Sequence, residues 1–243
     1  MNYDRLLAEL IKRINFSKYD AFSTSKYCSY FEYKGKELAL VWEHIDYEPR
    51  LTRDYEEVLK LKDKLEEAKK DGARVPAILS TVKTGEYLFQ LQERAHGIKF
   101  GFYETLADKT PVSEFVEFLR TIDILNKHGI SIDQGNNCLV DEDGTINLFD
   151  CINSKVQDKK VNSKPYTFKQ YLLKEPEYLS EEDIKKLIII LRKWIKACII
   201  YFSENNLENI REEIYSTIKD YAFISTEEKY QLIDEELALQ KGK

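Results

Sequence analysis

Glycine is unevenly distributed along this 243-residue chain. Eight of its nine glycines fall between Gly35 and Gly144, the ninth is Gly242, and none occurs from Thr145 to Lys241. Because glycine supplies the positive-φ positions of tight turns and strand connections, the split predicts a turn-rich, strand-bearing first part and a helical remainder. The predicted class is therefore α+β. No internal repeat is visible.

Local patterns fill in both parts. Leu6, Leu7, Leu10, Ile11 and Ile14 recur at helical spacing. The runs Tyr27 to Tyr33 and Glu37 to Ile45 flank Lys34-Gly35-Lys36 and read as a hairpin. A charged helix is expected over about Leu51 to Lys70, then two extended runs, Val75 to Val82 and Tyr87 to Gln92, joined at Lys83-Thr84-Gly85. Beyond Gly97 the period changes. Phe115, Phe118, Leu119, Ile122 and Leu125 form a helix stripe that stops near His128-Gly129, where glycine suits the left-handed cap. A second hairpin, with Asp-Gly in its turn, spans Cys138 to Phe149. Ser180-Glu-Glu-Asp183 is a capping-box start to a long helix ending near Phe202, and further helices are expected over Leu207 to Tyr221 and Glu227 to Leu239.

Composition narrows the function classes. With 43% hydrophobic and 33% charged residues the chain can bury a core, which excludes disorder and collagen-like repeats. The net charge of −6 argues against a partner held by its phosphate backbone, so no nucleic-acid partner is expected. Cys28, Cys138, Cys151 and Cys198 are scattered, without the spacing of a zinc site or a disulfide framework. No signal peptide is read from Met1 to Asp20, and Arg192, Lys193 and Lys196 interrupt the most apolar stretch. The expected location is therefore cytoplasmic, with no membrane span, in the chain's own cell or another.

The segment richest in chemistry runs from His128 to Asp150 (HGISIDQGNNCLVDEDGTINLFD). A helix leads into a polar loop holding Asp133 and Asn137, then a hairpin whose second strand delivers Asp150. A carboxylate and an amide at one end of a hairpin, with a second carboxylate at the other, can converge on one point. Such hard oxygen donors suit magnesium bound to nucleotide phosphates. A carboxylate closing a buried strand is costly unless it is paired or metal-bound, which draws attention to Asp150. Asp141 and Asp143 read as turn residues.

This segment resembles the catalytic loop and metal-binding hairpin of the protein-kinase-like fold. The resemblance covers about residues 20 to 152. Phe115 to His128 is similar to the helix entering the catalytic loop, Val75 to Leu79 to the fourth strand, and Tyr87 to Gly97 (YLFQLQERAHG) to the fifth strand and hinge. It implies a two-lobed architecture: a small antiparallel-sheet N-lobe with one main helix over 1–97, its hinge near 91–97, and a mostly helical C-lobe over 98–243 carrying the hairpin 129–152. By the same resemblance Asp133 orients the acceptor hydroxyl, Asn137 and Asp150 hold Mg2+, and Leu91, Gln92 and Glu93 lie against the adenine of ATP.

The chain also departs from the family pattern. Ser23-Thr-Ser25-Lys-Tyr-Cys28 takes the spacing of the phosphate-covering loop without a glycine, which leaves the Ser23 and Ser25 hydroxyls as hydrogen-bond donors to the phosphates. Ala39-Leu-Val-Trp42 has tryptophan where the strand lysine is expected, and Lys26 in the loop is the substitute, as in the eukaryotic kinases named for lacking that lysine. Trp42 otherwise reads as core, and His128 as a helix cap. The short stretch between Asp150 and Ser180 leaves little room for a regulated activation loop. The expected activity is ATP- and Mg2+-dependent phosphotransfer, most readily to a protein Ser/Thr hydroxyl. A pseudokinase scaffold is the alternative and a small-molecule kinase of aminoglycoside or choline type the second. The trimmed pattern resembles minimal kinases that some bacteria inject into host cells, which implies a protein substrate or partner and an exported effector.

Overall fold

Four antiparallel strands form the sheet of the first part: β1 (Lys26–Tyr33), β2 (Lys36–His44), β3 (Ile78–Thr84) and β4 (Tyr87–Glu93), in the order β1-β2-β4-β3. The computed structural model describes residues 2–14, 26–44, 55–85, 87–97, 102–131, 138–148, 155–157 and 179–241. The chain is α+β, with this small sheet and several helices.

Lys34 and Gly35, with φ of 51° and 73°, make the two-residue turn between β1 and β2, whose twist suits a hairpin. Side chains alternate across the sheet, so it has two distinct faces. On one, Leu38, Leu40 and Trp42 of β2 and Phe89 and Leu91 of β4 pack with Leu6 and Leu7. The last two belong to α1 (Tyr3–Ile11), which is capped by the Asn2 side chain accepting from the Arg5 N–H at 2.9 Å and tied to β3 by Ser80 Oγ donating to Asp4 Oδ1 at 2.6 Å. The opposite face meets α2 (Tyr55–Lys70), whose Leu61, Leu65 and Ala68 share a core with Ile78 of β3. Tyr55 reaches the same strand, its hydroxyl donating to the Thr81 carbonyl at 3.2 Å.

The remainder is built on helices. α3 (Phe102–Asp108) and α4 (Val112–Lys127) lead to β5 (Ile130–Ser131); β6 (Cys138–Val140) and β7 (Ile146–Leu148) form a hairpin; and β8 (Lys155–Val156) pairs with β5. The helices α5 (Glu181–Glu204), α6 (Ile210–Ile218) and α7 (Thr226–Lys241) follow. The expected α4 stripe is wholly buried, and α4 ends at His128 with Gly129 at φ 76°. Ser180 and Asp183 form the expected capping box on α5. Trp194 of α5 lies at the centre of this core, its Nε1 donating to Thr217 Oγ1 at 2.9 Å and its ring set edge-on to Phe115. Lys193 turns back toward α3, and its Nζ donates to the carbonyls of Ala107 at 2.6 Å and Thr110 at 2.7 Å. That cation satisfies the carbonyls a helix leaves open at its C-terminal end.

Two features depart from the sequence reading. β7 is the expected second strand of the Asp-Gly hairpin, but the two-residue β8, farther into the glycine-free stretch, was not anticipated. Helix α3 was not anticipated, since its seven residues are too few to show a periodic stripe; among its described side chains Leu106 and Ala107 are buried. Among the described residues no helix is long and apolar enough to cross a membrane. In α5, Arg192 instead pairs with Glu235 and Glu236 of α7 at 2.7 and 2.8 Å.

Candidate functional site

Three structural pieces converge on the linker that leaves β4: the end of α2, the start of β3 and the β6–β7 hairpin. Gly97 has φ +117°, and a Cβ there would stand 2.7 Å from both the carbonyl carbon and the oxygen of Val140. Only glycine lets the linker lie this close to β6. Asn147 of β7 donates through Nδ2 to the His96 carbonyl at 3.1 Å, fastening the other strand of the hairpin to the same linker. The hairpin's tip is organised by Asp141, whose Oδ1 accepts from the N–H groups of Asp143 and Thr145 at 3.1 and 2.9 Å, the turn role read from the sequence. Gly144 at this tip presses on the backbone of Lys109 and Thr110, again with no room for a Cβ.

Glu93 ends β4 and is tied to the α2 side. Its Oε2 pairs with Lys69 of α2 and accepts from the Ala77 N–H at 3.0 Å. Burial pushes the Glu93 carboxyl up, but the hydrogen bonds from Lys69 and Ala77 and the charges of Lys69 and Lys36 outweigh it, and the pKa falls below the usual glutamate value. Next along the linker, Arg94 bonds Glu37 Oε1 at 3.1 Å and lies over the Tyr30 ring at 4.8 Å, while His96 meets the other Glu37 oxygen at 3.0 Å. His128, read as a helix cap, does close α4. Its ring also approaches Asp71 at 2.7 Å and Glu67 at 3.4 Å at the end of α2. Those partners carried a signal, two carboxylates spaced i, i+4 at a helix end, but nothing in sequence tied them to His128.

Of the residues singled out for nucleotide chemistry, Ser23, Ser25, Asp133, Asn137 and Asp150 lie outside the described residues. Lys26 opens β1 opposite Glu43. Leu91 is fully buried in the core beneath α1, Gln92 lies on the opposite face, and Glu93 carries the bonds described above. Trp42 belongs to the α1-side core, stacked on Tyr27 at 5.5 Å. Among the described side chains, the β2 residues on the α2 side are thus Glu37, Ala39 and Val41, with no lysine among them. Among the described residues, no group of three or more His, Cys, Asp or Glu side chains is arranged to hold a metal ion.

The sequence pattern did not disclose Gln90. It is 1% exposed on β4, in register with Val41 and Thr81 on the α2 side, and neither polar atom of its amide has a hydrogen-bond partner among the described residues. The Thr81 hydroxyl is likewise buried without one among the described residues. Compared with known proteins, the chain matches no family model, and none of the curated proteins matches it.

Proposed function

We propose that the chain is an ATP- and Mg2+-dependent phosphotransferase of protein-kinase-like, two-lobed architecture, acting on a protein Ser/Thr hydroxyl. The observation that carries the reading is connectivity: a hairpin, a helix and a second hairpin whose last strand joins the first hairpin, followed by a linker docked through Gly97 on the β6–β7 hairpin. Element order of this kind is harder to reach by chance than a single motif. In this reading residues 1–97 form the N-lobe and 98–243 the C-lobe, with ATP between them.

The roles follow from the resemblance and from the chemistry of the donors. Asn137 and Asp150 offer the hard oxygens that magnesium takes, and the ion would neutralise charge developing on the transferred phosphoryl group. Asp133 orients the acceptor hydroxyl and receives its proton. Lys26, at the start of β1, supplies the cation for the phosphates, because β2 carries tryptophan at the position of the strand lysine. Ser23 and Ser25 donate to the phosphates, and Gln92 borders the adenine.

The same missing strand lysine favours a second reading, a pseudokinase that binds a partner without transferring phosphate. Thermal shift with Mg2+-ATP and transfer of labelled γ-phosphate separate the two. The enzyme reading expects Mg2+-ATP to raise the melting temperature, and Lys26→Ala and Asp150→Ala to abolish transfer while the circular dichroism stays native. A folded wild-type chain that neither binds nor transfers refutes it; binding without transfer leaves the scaffold.

A further inference from the structure

The two edges of the four-stranded sheet differ. On β3 the register with β4 shifts between Ile78 and Ser80, an irregularity of the kind that blunts an edge, and the Thr81 carbonyl already accepts from Tyr55 of α2. β1 has neither guard. Its eight residues pair with β2 in unbroken register, none is proline, and among the described residues no strand lies against its outer side. Cys28, Ser29 and Tyr30 are exposed in succession, so both faces of the strand are open there. The Arg94 N–H sets the backbone phase: it donates to the Glu37 carbonyl at 3.2 Å, so Glu37 turns its main-chain bonds away from β1. Glu32, the partner of Glu37 on β1, therefore turns its own N–H and carbonyl outward, as do Tyr30, Cys28 and position 26 by alternation.

We propose that this edge pairs with the same edge of a second copy of the chain, antiparallel about a two-fold axis at Ser29, so that two sheets join into one. The occupant follows from the strand itself, which is self-complementary in this register. Centred on Ser29, Lys26 of one copy stands opposite Glu32 of the other and Tyr27 opposite Phe31, each pair occurring twice. Opposite charges and aromatic pairs are favourable cross-strand neighbours. Moving the axis to Tyr30 would instead set Lys26 opposite Lys34. The phase fits as well. Ser29 directs its bonds to β2 and meets its copy as a non-hydrogen-bonded pair, while Cys28 with Tyr30 and Lys26 with Glu32 exchange main-chain bonds. Glu32 also stands opposite Glu37 within the chain, a like-charge neighbour that an incoming lysine offsets. The pairing does not rest on the phosphotransferase reading; where both hold, the second copy and the nucleotide compete for Lys26.

Sedimentation equilibrium of the full chain tests this. The mass is expected to rise from 28.7 kDa toward twice that value as concentration is raised. Glu32→Lys sets like charges across both symmetric pairs and should raise the dimer dissociation constant about tenfold, and adding Lys26→Glu should restore it. Ser29→Cys in a Cys28→Ser background puts identical thiols face to face on the axis, where mild oxidation should link two chains. Should a variant not fold, hydrogen exchange of the wild type reads the same contact. The amides of Cys28, Tyr30 and Glu32 should slow with concentration, whereas those of Ser29 and Phe31, bonded to β2, stay protected throughout. A chain that is monomeric at every concentration overturns the inference, and if those three amides are already protected in the monomer, the edge is covered from within the chain. A dimer indifferent to Glu32→Lys, with the three amides exchanging as in the monomer, forms through another surface and overturns it too.

Discussion

Gly97 rests directly on the backbone of Val140, so that a β-carbon at position 97 would fall 2.7 Å from the Val140 carbonyl carbon and oxygen and 2.9 Å from its nitrogen. The contact joins the strand-bearing first part to the β6–β7 hairpin through main chain alone, and side-chain rearrangement cannot relieve it.

Gly97→Ala is therefore expected to destabilise the chain by about 2–4 kcal/mol, combining positive-φ strain with overpacking. Gly35 provides the control: its φ is +73°, but no described atom lies within 4 Å of where a β-carbon would stand, so Gly35→Ala should cost only the backbone strain, about 1–2 kcal/mol. Urea denaturation measures both, and equal losses would refute the steric account.

Glu93 makes stability depend on acid. Its pKa is depressed in the folded chain, so its contribution is complete above the unfolded value of about 4.3 and is lost as pH falls through the lower folded value. Glu93→Gln should lower stability at neutral pH and flatten the decline in stability below about pH 4.3. An unchanged acid slope would show that the Lys69 and Ala77 bonds contribute nothing. The carboxylate is partly exposed, so the effect is a modest one.

Lys193 satisfies carbonyls at the end of α3 from a neighbouring helix. Lys193→Met keeps most of the apolar stem and removes the cation, and should cost about 1.5–3 kcal/mol, the range for bonds to a charged donor. A loss below about 0.5 kcal/mol, typical of a surface substitution, would mean that water replaces the ammonium without penalty.

The described cysteines should differ in reactivity. Cys28 is exposed, while Cys138 and Cys198 are buried, and burial drives the Cys198 thiol far above its ordinary range. Iodoacetamide applied to the native chain, followed by peptide mass mapping, should label Cys28 and spare Cys138 and Cys198. Labelling of Cys198 at a comparable rate would mean that the α5 core opens in the native state.

Much of this architecture could be read one residue at a time. Helix α4 and its glycine stop, the α5 capping box, the β1–β2 turn and the Asp141 turn all follow from short-range rules, because the interactions that form them join residues a few positions apart. The candidate site was legible only as an order of motifs. Leu91, Gln92 and Glu93 are consecutive and looked equivalent in the chain. Strand alternation sends Leu91 into the α1 core and Gln92 to the α2 side, while at the strand's end the Glu93 carboxylate reaches Lys69 and the Ala77 N–H.

Periodicity thus set where helices and strands form, since the 3.6- and 2-residue repeats are properties of the local backbone. Which face of a strand meets which helix is not such a property. It depends on register across three strands and on α1 and α2 arriving from distant parts of the chain. For that reason Trp42, which stands at the lysine position in the linear pattern, is core against Tyr27, whereas Val41 beside it faces the α2 side with Gln90. The pairing of His128 with Asp71 and the contact of Gly97 with Val140 have the same origin: each joins residues tens of positions apart, and only folding of the whole chain brings them together.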